Sequence, residues 1–213
     1  MIHGMATISD RPTPRERLLD AADRLFYEEG VCTVGVDRIL QAADVARASL
    51  YSTYGSKDQL IRAYLQRRSD DWQAQVAEAL PARWDNPRDR LLGLFELLSE
   101  SFGTPGYNGC PFINASAEAA ATDAVRDVRD QHRARVRELF ARLGREAGAH
   151  NAEALSEQLT ILYDGAAVGA QLDHGAGPGH AAMSAAAVLI DEATRPARRL
   201  RSAARTSSRQ PAG

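Results

Sequence analysis

The chain has 213 residues, of which 44% are hydrophobic and 25% are charged, with a formal net charge of −2. No apolar run approaches the roughly 18 residues that a membrane-spanning helix needs, so a globular protein of ordinary composition is expected. The N-terminus lacks the pattern of a secretory signal, and two cysteines are too few for a disulfide framework, so the reducing cytoplasm is the expected compartment.

The charge is unevenly distributed along the chain. Residues 1–70 carry ten basic and ten acidic side chains, residues 71–194 carry ten basic and eighteen acidic ones, and residues 195–213 carry six arginines and no acid. Between Arg38 and Arg68, six basic residues accompany only two acidic ones. A basic region beside an acidic body is typical of a protein that contacts a polyanion at one end, although a mixed, solvated surface has the same composition.

The first predicted helix begins with strong N-terminal signals. Thr13 precedes Pro14 and stands three residues before Glu16, which combines a capping box with proline at the first helical position. Apolar residues follow at helical spacing until Gly30, which supplies the stop.

Two short helices and a long one are predicted next. The short helices cover residues 36–43 and about 47–54, and a three-residue turn separates them. Ser56 then opens the long helix, with Gln59 as a capping-box partner, and Pro81 is expected to end it.

The remaining sequence is also helical in period. Five more helices are predicted, over residues 87–102, 110–122, 125–148, 155–170 and 180–195. No stretch of sequence alternates with the period of a strand, so the predicted fold class is all-α.

Two short helices that are joined by a tight turn and braced by longer helices describe a helix-turn-helix. A helix that enters the major groove needs small residues at its leading end and hydrogen-bond donors on its flanks. The second short helix has both, and Lys57, the only lysine of the chain, follows at the dipole-favoured start of the long helix. The predicted DNA-binding residues are Arg38, Ala46, Arg47, Ala48, Ser49, Tyr51, Ser52, Thr53 and Lys57. A connector in an unrelated helical bundle is the competing interpretation.

The stretch GVCTVGVDRILQAADVARASLYSTYGSKDQLIRAYL, at residues 30–65, resembles the DNA-binding signature of the tetracycline-repressor (TetR) family of bacterial regulators. The resemblance covers residues 14–66. It implies that the helix around residues 47–53 reads the major groove, and that Tyr51 and Lys57 hold phosphates.

The signature departs from the family pattern at the turn and along the second short helix. Asp44 stands where the family usually has glycine, and Ala46 replaces a capping serine, at a cost of roughly 1 kcal/mol. Thr53 replaces a common histidine, and Tyr54 a common phenylalanine. These changes bear on the base contacts and leave the docking mode as it is.

Two later segments, GCPFINASAE at 109–118 and LYDGA at 162–166, are similar to one subgroup of the family. The resemblance implies a helical cavity for a small inducer and dimerisation through the last two helices. The candidate ligand-binding residues are Phe95, Phe102, Cys110, Phe112, Asn114, Glu118, His132, Tyr163 and Gln171.

These candidates also have plainer interpretations. His132 stands on an apolar stripe, as core histidines do, and Phe95 and Phe102 have the spacing of core residues. Asn114 is also suited to hydrogen bonding with the backbone, and Glu118 to contact with solvent.

Alanine-rich helix faces allow close helix packing and are predicted to form half of a four-helix dimer interface. A tight contact within one chain is the alternative. The residues of these faces are Ala166, Ala167, Ala170, Ala182, Ala185, Ala186 and Leu189.

Cys110 is predicted near a helix N-terminus, where a thiol pKa falls, so a sensing thiol and a buried structural thiol are both considered. An enzyme that uses Cys110, His132 and Asp164 as a nucleophile group is a second class, without a supporting motif. A ligand-blind architectural DNA-binding protein is a third.

The sequence therefore predicts a ligand-responsive transcriptional regulator, a repressor that binds a pseudo-palindromic operator as a homodimer and is released by a small molecule. No enzyme activity, cofactor, metal or membrane partner is expected. The predicted parts are a flexible N-terminus (1–12), a helix-turn-helix DNA-binding domain (13–60), a ligand-binding and dimerisation domain (61–195) and a basic tail (196–213).

Overall fold

A computed structural model describes residues 12–118, 122–173 and 175–196, and all regular structure in these ranges is helical. The helices are α1 (Pro14–Glu29), α2 (Val36–Ala43), α3 (Arg47–Tyr54), α4 (Lys57–Arg83), α5 (Pro87–Phe102), α6 (Pro111–Glu118), α7 (Asp123–Glu146), α8 (Ala152–Asp173) and α9 (Gly177–Thr194). The all-α prediction is confirmed. The predicted flexible N-terminus and basic tail lie outside the described residues, except at positions 12 and 196.

The N-terminal caps read from the sequence set the helix starts. At α1 the capping box is reciprocal, because the Thr13 hydroxyl accepts from the Glu16 amide at 3.3 Å while the Glu16 carboxylate accepts from the Thr13 amide at 2.7 Å. At α4 the Ser56 hydroxyl accepts from the Gln59 amide at 3.2 Å. Each cap satisfies an amide that the helix itself leaves without a partner.

The prediction that Pro81 ends the long helix is wrong, since α4 continues to Arg83. Proline lacks only its own N–H, and the Trp84 amide donates to the Leu80 carbonyl at 3.1 Å, so bonding resumes after the ring. The last helix also begins earlier than predicted, at Gly177 rather than near residue 180.

One hydrophobic core joins the N-terminal helices to the rest of the protein. Leu18, Leu50 and Leu60 are fully buried in it, and Phe112 of α6 and Val128 of α7 belong to the same cluster. The first half of α4 therefore packs with the helix-turn-helix. The predicted division at residue 60 falls near the start of this helix and stays a prediction.

A second core lies among α5, α7, α8, α9 and the second half of α4. Phe95 and Phe140 are its largest fully buried rings, with centroids 5.7 Å apart. None of the helices in the described part of the chain is long and apolar enough to cross a membrane.

The predicted alanine faces are largely internal, which corrects their assignment to a dimer interface. At most 8% of the surface of each is exposed at Ala166, Ala167, Ala170, Ala182 and Ala186. These small residues let α8 and α9 pack closely within one chain. Large apolar side chains are exposed on the same two helices instead, namely Ile161, Val168, Leu172 and Val188.

Candidate functional site

The turn between α2 and α3 is closed by a residue in the left-handed conformation. Asp44 has φ 51° and ψ 54°, and its amide donates to the Gln41 carbonyl at 3.3 Å. The Arg17 guanidinium donates to the carbonyls of Ala43 and Asp44 at 3.0 and 2.8 Å, and it lies 3.5 Å from the Asp44 carboxylate. A cation at the C-terminal end of α2 also complements the helix dipole.

The short helix α3 buries one side and exposes the other. Leu50 and Tyr54 are buried against the first core, and the Tyr54 hydroxyl donates to the Arg15 carbonyl at 3.0 Å. Ala46 caps the helix without a side-chain hydrogen bond, as its sequence predicts. The predicted contact residues Ala46, Arg47, Ala48, Tyr51 and Ser52 are exposed, and Ser49 and Thr53 are half-buried.

The cations beside α3 are held by acids of the same domain. Arg47 pairs with Asp37 of α2, whose negative charge, more than the Tyr51 hydroxyl, raises the pKa of the guanidinium. Arg38 pairs with Glu29 at the end of α1, so it lies on α2 rather than on the exposed side of α3. Such exposed pairs are worth about 0–1 kcal/mol and exchange readily for phosphate.

Lys57 begins α4, one residue after the Ser56 cap. Its ammonium lies 6.0 Å from the centroid of the Phe26 ring, and the side chain is half-buried. The structure therefore places a cation and a helix N-terminus directly after α3, where an anion is favoured.

A cavity of about 320 Å³ lies between the two cores. Helices α1, α4, α5, α6, α7 and α8 and the segment before α6 all contribute to its wall. Four of the predicted ligand-binding residues line it, namely Cys110, Phe112, His132 and Tyr163.

His132 is the most enclosed polar group of this wall. Its ring stacks on Phe112 with centroids 3.9 Å apart and planes 10° apart, and Trp72 meets it edge-on at 5.1 Å. Nδ1 lies 3.0 Å from the Ser69 hydroxyl. Burial, and to a smaller extent the charge of Arg135, lowers the pKa of His132 to about 4, so the imidazole is neutral at neutral pH.

Cys110 immediately precedes α6, but its thiol is not activated there. Burial raises its pKa and outweighs the opposing hydrogen bonds from the Ile113 and Phe112 amides. The prediction that the helix N-terminus lowers the pKa of this thiol is therefore wrong. Cys32, the other cysteine, is also a free thiol.

The three residues considered as a nucleophile group share the cavity without forming one. Cys110, His132 and Asp164 all line it. However, His132 Nδ1 engages Ser69, and Asp164 accepts from Arg133 at 2.6 Å. The hydrogen bonds of a nucleophile, base and orienting acid are thus directed elsewhere.

Five predicted ligand-binding residues lie outside this wall. Phe95 and Phe102 are buried in the second core. Asn114 donates to the Asn108 carbonyl at 2.6 Å. The other two, Glu118 and Gln171, line with Asn114 a separate cavity of about 290 Å³ beside α1. The Glu118 carboxylate accepts from the Cys32 amide at 3.0 Å, which ties α6 to the loop after α1.

The sequence interpretation missed the contribution of α1 to the central cavity. Tyr27 lines the cavity, and its hydroxyl donates to the Gly109 carbonyl at 3.2 Å and accepts from the Asn108 amide at 2.9 Å. No motif marks this tyrosine, because it follows Phe26 in an ordinary helical stripe. A wall of the cavity is therefore part of the first helix.

Arg68 is a second missed residue, and it joins the cavity to α1 by charge. Its guanidinium forms a two-point contact with the Asp23 carboxylate at 2.7 and 2.8 Å. It also lies 4.4 Å from the centroid of the Tyr27 ring. Any occupant that moves Arg68 therefore acts directly on α1.

Comparison with known proteins identifies relatives of both parts of the chain. Residues 18–64 match the family described as bacterial regulatory proteins, tetR family. The crystal structure of a TetR-family transcriptional regulator from Streptomyces coelicolor is 30% identical, with 85% of this chain and 96% of that chain covered and a TM-score of 0.77.

Two curated relatives match over shorter stretches. The transcriptional repressor NemR of Escherichia coli K12 is 29% identical over 116 residues, which are 54% of this chain and 57% of NemR. The transcriptional activator FasR of Mycolicibacterium smegmatis is 34% identical over 145 residues, which are 59% of this chain and 66% of FasR. The match thus spans a little over half of the length of NemR and about two thirds of that of FasR.

Proposed function

The chain belongs to the TetR family of bacterial transcriptional regulators, and we propose that it is a repressor that a small molecule releases from DNA. The observation that carries this proposal is the shared wall between the DNA-binding helices and the cavity. Tyr27 and Arg68 line the cavity and at the same time hold α1, which packs against α2 and α3. The protein is proposed to act in the cytoplasm without a cofactor.

The exposed side of α3 is proposed to enter the major groove. Its leading residues Ala46 and Ala48 are small enough for close approach to base edges, and the Arg47 guanidinium supplies donors. The Tyr51 hydroxyl and the Lys57 ammonium are proposed to hold phosphates on the two sides of the helix. These contacts set the register of the protein on the duplex.

A second copy of the chain is proposed to cover the exposed apolar residues of α8 and α9. Ile161, Val168 and Leu172 share one side of α8, since they are separated by seven and four residues. A groove that includes Gly165 and Gly169 on α8 runs beside them. A dimer would carry two α3 helices, and a pseudo-palindromic operator with half-sites about 34–36 Å apart would match them.

Release requires that the effector prefers the conformation that does not fit DNA. Occupation of the cavity is proposed to displace Tyr27 and Arg68, and with them α1. The Glu118 contact with the Cys32 amide adds a second connection, from α6 to the loop before α2. A coupling of about 1–3 kcal/mol between the two sites is sufficient for a release of five- to 150-fold.

Operator selection from genomic fragments tests this function, followed by a gel-shift screen for compounds that release the selected fragment. We expect a pseudo-palindromic site that a dimer protects, and loss of the shifted band with an active compound. Activation of transcription from the selected promoter, as the name of FasR describes for that relative, would contradict repression and leave DNA binding in place.

A further inference from the structure

We infer that the central cavity takes an uncharged, flat aromatic molecule that carries a hydrogen-bond acceptor, such as an aryl ketone. The inference rests on the proposed role of this cavity as the effector site, and it adds the chemical class of the effector. The volume of about 320 Å³ is at the low end of the range of about 300–1,000 Å³ for ligand pockets, which favours a molecule of one or two rings.

Aromatic rings from five structural elements line the cavity, which favours a flat partner. These rings belong to Tyr27, Trp72, Tyr107, Phe112 and Tyr163. Rings that are held at different angles offer both offset stacking and edge-to-face contact to an aromatic ligand. Trp72 and Tyr163 also fix each other, because the indole N–H donates to the phenol oxygen at 3.2 Å.

The charged side chains of the wall are already paired, which disfavours an ionised ligand. The pairs are Arg68 with Asp23, Arg129 with Asp130, Arg133 with Asp164, and Asp71 with Arg67. An anion or cation would have to separate one of these pairs or lie unpaired between aromatic rings. Breaking a partly buried pair also leaves its other member without compensation.

His132 supplies one free hydrogen-bond donor to this wall. The Ser69 hydroxyl accepts from Arg135 at 3.0 Å, and its own proton is left for His132 Nδ1 at 3.0 Å. A neutral imidazole with an accepting Nδ1 carries its proton on Nε2. Within the described part of the chain, Nε2 has no partner, so it can donate to an acceptor in the cavity.

Arg133 supplies a second donor beside it. Its Nη2 is used by Asp164 at 2.6 Å, while its Nε is buried and has no partner among the described residues. A buried donor without an acceptor is unfavourable, so a ligand oxygen that reaches it gains affinity. Two adjacent donors and no free charge together select a neutral acceptor.

Three probes of nearly equal shape test the chemical class on the wild-type protein by isothermal titration calorimetry. They are methyl naphthyl ketone, isopropenylnaphthalene, which lacks the acceptor, and naphthoate, which is charged. We expect the ketone to bind about ten-fold more tightly than the alkene, and naphthoate to bind more weakly than both. Equal binding of ketone and alkene, tightest binding of naphthoate, or no binding of the ketone up to its solubility limit would overturn the inference.

The double variant Ser69→Ala/His132→Phe locates the donor. It keeps a ring against Phe112 and leaves no hydroxyl without an acceptor, and Arg135 retains Asp70 at 3.0 Å. We expect the preference for ketone over alkene to fall at least about three-fold, with alkene binding unchanged. An unchanged preference in the folded variant would contradict the role of His132. If the variant does not fold, the comparison of probes on the wild-type protein decides.

Release of the selected operator separates this inference from the proposed function. Ketone binding without release would leave the chemical class in place and contradict the effector role of the cavity. Release by naphthoate with the same cavity variant insensitive to it would keep the effector role and overturn the class.

Discussion

Arg17 holds the turn of the helix-turn-helix through both the backbone and the carboxylate of Asp44. Its guanidinium reaches the Asp44 carbonyl at 2.8 Å and the Ala43 carbonyl at 3.0 Å, and the carboxylate at 3.5 Å. The carboxylate is 88% exposed, so its ion pair is weak, whereas the carbonyl contacts do not depend on the side chain at position 44. The turn therefore tolerates aspartate at a backbone position that favours glycine.

Asp44→Gly should raise the free energy of unfolding by up to about 1 kcal/mol. Glycine removes the cost of a side chain at φ 51°, and both carbonyl contacts with Arg17 remain. Asp44→Ala is the matched control, because it loses the ion pair and keeps the strain, and it should be the least stable of the three proteins. Urea unfolding measures the order, and alanine more stable than glycine would contradict this account.

Leu172→Glu should make the protein monomeric without unfolding it. The side chain is 72% exposed, so the change costs the monomer no more than about 0.5 kcal/mol, whereas it places a charge in the proposed interface. Light scattering after gel filtration measures the mass. The control Ala186→Glu buries a charge at a fully enclosed site and should unfold the protein. A dimeric Leu172→Glu protein would show that the interface lies elsewhere.

Acid should destabilise the protein between pH 6.5 and about 4 through His132. Its pKa is about 4 in the folded state and about 6.5 when unfolded, so the unfolded chain binds the additional proton in this window. The contribution is complete above pH 6.5, and roughly 2 kcal/mol of it should be lost by pH 5. Urea unfolding at pH 7 and pH 5 measures the loss.

The variant Ser69→Ala/His132→Phe should lose this part of the pH dependence, because no imidazole titrates at the site. His150→Gln, at an exposed histidine, is the control and should retain it. Equal pH dependence in the wild-type protein and the double variant would assign the acid sensitivity to other groups.

Tyr27→Phe should weaken communication between the cavity and DNA. The hydroxyl joins α1 to the segment before α6 through Gly109 and Asn108, and the variant loses both contacts. We expect operator affinity to be retained while the compound concentration needed for release rises roughly two- to 30-fold. Tyr54→Phe, whose hydroxyl bonds only within the DNA-binding helices, is the control and should leave release unchanged. Normal release from the Tyr27→Phe protein would exclude this route.

Helix positions were largely predictable because their signals are local. The capping box of Thr13 and Glu16 and the cap at Ser56 mark helix starts within four residues of sequence, and the structure confirms them. The exposed side of α3 also followed from spacing, since Leu50 and Tyr54 fix which side is buried.

The cavity wall was less predictable, because spacing identifies the apolar side of a helix and not the element that packs on it. Glu118 has the pattern of an inward-facing polar group, yet it reaches the loop after α1. Trp72 and Tyr27 read as core residues and line the cavity. Burial of the Cys110 thiol likewise depends on neighbours that are distant in sequence, so the direction of its pKa change was predicted wrongly.

The measurement that tests the central claim most directly is operator binding by the double variant Tyr51→Phe/Lys57→Gln, followed by fluorescence anisotropy at several salt concentrations. Both side chains lie outside the core, so the unfolding midpoint should stay within a few degrees of that of the wild-type protein. We predict a loss of operator affinity of at least about 100-fold and a shallower salt dependence, because phosphate contacts are removed. Wild-type affinity and salt dependence in the folded double variant would contradict the assignment of α3 and the start of α4 as the DNA-binding surface.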